Sequence, residues 1–158
     1  MNFFLAKHHQ IFSLLIQNEV EFIVVGGYAV IYHGYHRTTG DLDIWLKPDN
    51  YNKNKFILTL EKLGYETESI SQVGQMDFTQ PILLNIGEEP DKVEFMTFVS
   101  GLIFEEANEK KIITQSEKLN IPFLSLDHLI ISKMNAGRFQ DLADIEKLQK
   151  VIKLRRNP

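Results

Sequence analysis

The sequence predicts an α/β (α+β) fold: a mixed sheet flanked by helices, with paired helices closing the C-terminal end. Three observations predict it. Strand-like runs alternate with segments of helical spacing in the first half, at Phe22-Ile23-Val24-Val25 and again from Asp41 to Leu46. Further strand-like runs crowd the middle, from Ile82 to Ile86 and from Val93 to Val99. Helical spacing then returns from Leu129 onward. Elements in this order bury their apolar faces most simply as a sheet covered by helices.

Leu5, Phe12, Leu15 and Ile16 give the stretch from Phe4 to Gln17 an apolar stripe, so it reads as an amphipathic helix. Phe22 to Val25 is a short buried strand ended by Gly26-Gly27, and a short helix over Tyr28 to Tyr32 closes near Gly34. The second strand runs from Asp41 to Leu46. Pro48-Asp49-Asn50 punctuates it and caps a helix from Tyr51 to Leu63, whose stripe is Phe56, Ile57, Leu60 and Leu63, with Gly64 just past its end. Gly87-Glu88-Glu89-Pro90-Asp91 is a turn between the two middle strands. Strands around Lys111 to Gln115 and Ile121 to Leu124 follow. Ser125 or Asp127 caps a helix through Leu129, Ile130 and Met134. Gly137 breaks it, and a last helix over Phe139 to Ile152 turns Leu142, Ile145, Leu148 and Ile152 inward.

At 158 residues the chain suits one domain, expected to span residues 1–158. It is 44% apolar and 24% charged, as in ordinary globular proteins. No apolar run approaches the roughly 20 residues that cross a bilayer, and Met1-Asn2-Phe3-Phe4 lacks the basic start of a secretory leader. The absence of cysteine excludes disulfides, thiolate nucleophiles and Cys-bound zinc, and fits a cytoplasmic location. A net charge of −4 argues against broad non-specific binding to nucleic acid.

Chemistry concentrates in "GGYAVIYHGYHRTTGDLDIWL". Alternate strand residues share a face, so Asp41 and Asp43 project together, with α-carbons about 7 Å apart. Like charges on one face repel unless a cation lies between them, and a divalent metal is the usual answer. The bland alternative is a pair of solvated acids at a strand start. The Gly26-Gly27 corner exposes backbone N–H groups and lets a ligand come close, which suits phosphate, although turns also use Gly-Gly freely. It is neither a P-loop nor a dinucleotide fingerprint, since no Gly-Lys-Ser/Thr and no G-x-G-x-x-G is present.

Arg37-Thr38-Thr39 sets a cation and two hydroxyls beside the acids; Arg37 can pair with Asp41 or meet a phosphate. Glu94 interrupts an apolar strand, where a lone acid is costly unless paired, metal-bound or facing solvent. With Asp41 and Asp43 it supplies three oxygen donors, a set that favours Mg²⁺ over zinc. Asp91 falls at an odd offset from Glu94, on the opposite strand face. His33 and His36 border the corner and read as packing or capping groups, while His8 and His9 lie far from it. Trp45 is expected in the core, facing away from the two aspartates.

Gly26, Gly27, Asp41, Asp43 and Glu94, in their order of strand, glycine corner, helix, D-x-D strand and later acid, resemble the nucleotidyltransferase superfamily. This is the fold of DNA polymerase β and of aminoglycoside and lincosamide nucleotidyltransferases. "GGYAVIYHGYHRTTGDLDI" and "LSLDHLIISKMNAGRFQDLADIEKL" are similar to small bacterial transferases grouped near the AbiEii-type toxins. The resemblance covers roughly residues 20 to 150. It implies that Asp41, Asp43 and Glu94 hold one or two Mg²⁺ ions, that the amides of Gly26 and Gly27, with Arg37 and Thr39, meet the triphosphate of an NTP (ATP is the expected nucleotide), and that a hydroxyl acceptor attacks the α-phosphorus to release pyrophosphate. It implies further that Lys133 approaches the triphosphate and that Arg138 orients a loop by pairing with Asp141. In that setting Glu94 can take the acceptor's proton, and Asp144 is surface charge. The third acid is more often Asp in the superfamily, and the longer Glu94 alters the metal geometry.

The acceptor is a small molecule, a protein or an RNA end. The alternative is a transferase-fold component of a toxin–antitoxin system that modifies such a partner, or binds it without catalysis. Arg155-Arg156-Asn157-Pro158 follows soon after the last helix, with no helical domain to build an acceptor pocket. The acceptor site is therefore expected to be shallow, lent by a partner protein, or shared across a homodimer. No membrane partner is expected.

Overall fold

The structure is a computed structural model and describes residues 3–156. The expectations for Met1-Asn2 and Asn157-Pro158 lie outside the described residues.

A six-stranded mixed sheet forms the frame, in the order β3-β4-β2-β1-β6-β5. At its centre lies β1 (Phe22–Val25), all four of whose residues are buried. It runs antiparallel to β2 (Leu42–Leu46), with Val25 opposite Asp43, and parallel to β6 (Leu119–Phe123). On the other side of β2, β4 (Val93–Met96) runs parallel to it and sets Glu94 opposite Asp43. Two antiparallel edges complete the sheet: β3 (Leu83–Ile86) on β4, and β5 (Ile112–Ser116) on β6. A β-branched run buried on both faces suits a central strand, and β1 is that strand.

Helices α1 (Ala6–Gln17), α2 (Gly26–Tyr32), α3 (Asn50–Lys62), α4 (Thr67–Gly74), α5 (Phe104–Lys110), α6 (Leu126–Ala136) and α7 (Phe139–Arg156) pack around it. The expected caps take their places. Asp49 accepts from the Asn52 amide at 2.7 Å, opening α3. Of the two candidates for α6, Ser125 is the cap, accepting from the His128 amide at 3.3 Å. Gly137 ends α6 in the left-handed conformation, at φ 67.

Several elements depart from the sequence reading. α4 is an addition, over a Ser- and Thr-rich stretch with little helix propensity. It is held from outside: the buried Lys53 ammonium donates to the carbonyls of Gly74 and Met76, both at 2.8 Å. α5 is a second addition, too short for a repeating stripe, with only Phe104 and Ala107 buried. β4 stops at Met96 rather than Val99, where Thr97 turns its hydroxyl to the Ile82 amide and the Gln80 carbonyl. Leu142, expected inward, is 52% exposed. The inward face of α7 is instead Asp141, Asp144, Ile145 and Leu148, a stripe that begins with two acids. Trp45 is in the core as expected, but not turned away from the aspartates. It lies two residues beyond Asp43 on the same strand, hence on the same face, edge-on to Phe104 at 5.1 Å between ring centroids.

Among the described residues, no helix is long and apolar enough to cross a membrane.

Candidate functional site

At the end of β1 the backbone enters α2 through Gly26 with φ +66, a conformation that other residues adopt only under strain. A methyl group there would also overlap the Asp43 carboxylate. One residue on, a methyl at Gly27 would overlap the Thr39 side chain and sit 3.3 Å from the Arg37 guanidinium. The two glycines therefore bring bare backbone against the D-x-D strand on one side and the Arg37–Thr39 segment on the other. Thr39 donates its hydroxyl to the Asp41 carbonyl at 3.3 Å, which steadies that segment.

Asp43 and Glu94 face each other across the β2–β4 pair. Burial, a hydrogen bond with Glu94 and the charges of Glu94 and Asp41 push the Asp43 carboxyl up to about 8, while Lys133 pulls weakly the other way. Such a carboxyl holds a proton at neutral pH unless a cation replaces it. One oxygen of Asp43 (Oδ1) and one of Asp41 (Oδ1) are buried without a hydrogen-bond partner. Leaving two carboxylate oxygens dry and unpaired is costly, and both are hard donors of the kind Mg²⁺ takes. The residues present thus fit a divalent cation. They do not yet form a closed cage: among the described residues no three carboxylate or imidazole groups are drawn together as a ready metal cluster. Asp41 instead leans its other oxygen toward the Lys92 ammonium at 3.6 Å.

The cations are organised by α7. Arg37 does not pair with Asp41. Its Nε and Nη2 donate to the two oxygens of Asp144 at 2.9 and 3.1 Å. Lys133 Nζ lies 2.8 Å from Asp144 Oδ2 and 3.3 Å from Asp141 Oδ1, and Gln140 donates to Asp144 at 2.8 Å. Asp144 is therefore no surface charge: it is fully buried beneath the site. Arg138 pairs with Asp141 as expected, Nε to Oδ2 at 2.7 Å, with its side chain 77% exposed at the rim. Burial alone would raise the Asp141 carboxyl, but the Arg138 hydrogen bond and the charges of Lys133 and Arg138 hold it below the usual carboxylate range.

Gly26, Gly27, Arg37, Thr39, Asp41, Asp43, Glu94, Lys133 and Arg138, singled out from the sequence, all line one cleft of ≈ 360 Å³. Glu89, Gln140 and Asp141 join them. Asp144 carried a legible signal: with Asp141, Ile145 and Leu148 it falls at i, i+3, i+4 and i+7, so an acid on the buried stripe of α7 was there to be read. The histidines stand apart. His33 is buried with Nε2 2.7 Å from the Leu124 carbonyl, and His36 is exposed. His9 Nε2 meets Ser116 at 2.9 Å, and His8 packs edge-on to Tyr28 and Phe4. Asp91 lies before the start of β4, so strand alternation does not set its direction.

Solved structures share this architecture. The lincosamide antibiotic adenylyltransferase LnuA in its lincomycin-bound form superimposes with a TM-score of 0.59 at 20% identity, over 95% of this chain and 99% of that one. A candidate nucleotidyltransferase from Thermotoga maritima gives 0.54 at 16% identity, over 96% and 91%. At these identities the likeness speaks for the fold. No curated protein matches the sequence. The model of one family, described as nucleotidyl transferase of unknown function (DUF2204), matches residues 5–157, and the chain belongs to that family of nucleotidyltransferases.

Proposed function

We propose that this nucleotidyltransferase moves a nucleoside monophosphate from an NTP, with ATP the expected donor, to a hydroxyl acceptor in a Mg²⁺-dependent reaction that releases pyrophosphate. One observation carries the reading: Asp43, whose Oδ1 is buried and unpaired as is that of Asp41, sets its other carboxylate oxygen against a glycine corner that no side chain can occupy, and both acids line one cleft with that corner. Anionic donors facing bare backbone amides call for a cation and a phosphate together.

Asp41, Asp43 and Glu94 would hold the Mg²⁺, which when bound supplies positive charge to the phosphate oxygens as the transition state forms. This chain's own groups do the rest. The amides around Gly26 and Gly27 cradle the triphosphate, and Thr39 and the guanidinium of Arg37 border it. Lys133 is held at the cleft by Asp141 and Asp144, so its charge is fixed in place before the nucleotide arrives. Glu94 is the group assigned to accept the acceptor's proton.

The test is incubation with each NTP labelled at its α-phosphate, Mg²⁺ and a cell extract. Label should pass to an acceptor, and transfer should stop on chelation and in Asp41→Ala and Asp43→Ala. Undiminished transfer by both variants would rule these acids out.

A further inference from the structure

A second cleft of ≈ 360 Å³ adjoins the first, sharing Gly26, Asp43, Glu94, Lys133, Arg138 and Asp141 with it, and the residues that each adds differ in chemistry. The first adds Gly27, Arg37, Thr39 and Asp41 to the shared acids and cations. The second adds Leu83, Met96, Phe98, Val99, Leu129 and Ala136. The register explains the contrast. Glu94 faces Asn85 and Met96 faces Leu83 across β3 and β4, so Glu94, Met96 and Leu83 lie on one face of the sheet near its edge. α6 reaches across that face with Leu129, Ser132 and Ala136, yet Leu83 remains 60% exposed and Phe98 56%. The site is therefore two lobes, one polar and one of mixed character with an apolar wall, meeting at Gly26, Asp43 and Glu94.

In-line displacement decides which lobe serves which reactant. The attacking and leaving oxygens stand on opposite sides of the phosphorus. If the β- and γ-phosphates rest on the Gly27, Arg37 and Thr39 side of the corner, which lines the first cleft alone, the acceptor must enter from the opposite side, over β4. We propose that the second lobe is the acceptor site and that it takes a small molecule whose hydroxyl is carried on a body with one apolar face, set against Leu83, Met96, Val99 and Leu129. This deepens the proposed transferase activity and rests on it. The acceptor oxygen bonds to the α-phosphorus, and the bond from that phosphorus to the β-phosphate's bridging oxygen breaks, its electron pair leaving with pyrophosphate. The hydroxyl proton passes to a carboxylate of the Asp43–Glu94 pair.

Size and charge select the class. The volume falls in the range of small-ligand pockets, about 300–1,000 Å³, and the lining mixes apolar side chains with polar ones. Ser100 and Ser132 supply such groups here. An RNA end would need a basic track, and the cations lining this lobe, Lys133 and Arg138, are already paired with Asp141.

The test follows methyl and amide NMR signals of the full chain with Mg²⁺ and ATP present. The acceptor probes are a set of aryl and alkyl alcohols, including phenyl glucoside, and a short oligoribonucleotide with a free 3′ hydroxyl. Alcohols should shift the Leu83, Met96, Val99 and Leu129 methyls, and Ala136→Trp, which fills the lobe from an exposed helix position, should weaken their binding about tenfold or more. The proposal is overturned if no alcohol shifts these methyls, if the oligoribonucleotide shifts them instead, or if Ala136→Trp leaves alcohol binding unchanged. ATP shifts at the Gly26 and Gly27 amides read the nucleotide site separately. Their absence in the wild type would sink the transferase reading itself, whereas their presence without alcohol binding sinks the acceptor class alone.

Discussion

Asp144 grips the Arg37 guanidinium with both carboxylate oxygens, at 2.9 Å from Nε and 3.1 Å from Nη2, from a position wholly removed from solvent. The pair ties α7 to the segment that leads into the D-x-D strand, and Lys133 of α6 completes it at 2.8 Å. A buried acid holding two cations from distant parts of the chain fixes where both cations stand.

Removing that acid strands two partly desolvated cations. Asp144→Ala should destabilise the fold by about 3 kcal/mol, the scale for breaking a buried ion pair from one side. Urea denaturation measures it. A loss under about 1 kcal/mol, the worth of an exposed pair, would mean that water replaces Asp144 freely.

Gly26→Ala meets two obstacles at once, the positive φ and the Asp43 carboxylate. The strained backbone alone should cost about 1–3 kcal/mol. Nucleotide transfer should fall further than stability does, because the added methyl displaces an acid proposed to bind metal. Denaturation midpoints and single-turnover transfer on the same sample separate the two effects.

The raised Asp43 carboxyl sets a pH dependence. Its ordinary value is 3.8 and in the fold it rises to about 8, so between those values the native state holds a proton that the unfolded chain has lost. Stability of the metal-free protein from this group should therefore be greatest at the acid end and decline as pH rises toward 8. Thermal melts across that window, compared with Asp43→Asn, read the decline, and the variant should flatten it. Mg²⁺ should restore most stability at the alkaline end, where it no longer competes with the proton.

Trp45 offers a packing test. It is 1% exposed and packs edge-on to Phe104. Its indole N–H is buried without a partner. Trp45→Ala should cost about 3–5 kcal/mol as a core truncation. Trp45→Phe should cost markedly less than Trp45→Ala, since it keeps an aromatic ring and removes the unpaired donor. Circular dichroism must follow both, because this is the chain's sole tryptophan.

Much of the frame was legible because local patterns agree with the fold. β1, β2 and α3 announce themselves through a β-branched run, acids alternating with aliphatic residues ahead of an apolar end, and an Asp cap, and each stands within a residue or two of its expected bounds. α4 was not legible, because it buries Val73 alone among its residues and is tied at its C-terminal end by Lys53 from a different helix. Leu142 misled because a row of aliphatic residues on α7 suggested an apolar stripe. The true inward face begins with Asp141 and Asp144, whose burial makes sense only once Arg37 and Lys133 arrive from elsewhere.

The chain alone determined its superfamily likeness, the glycine corner and which acids share a strand face, since those follow from residue type and the two-residue repeat of a strand. Tertiary structure decided the partners. Arg37 chose Asp144 over Asp41, and a second lobe with an apolar wall opened beside the acids where β3 and α6 meet over β4. Charge pairing and cavity shape depend on groups far apart in sequence, so only the folded chain could bring them into contact.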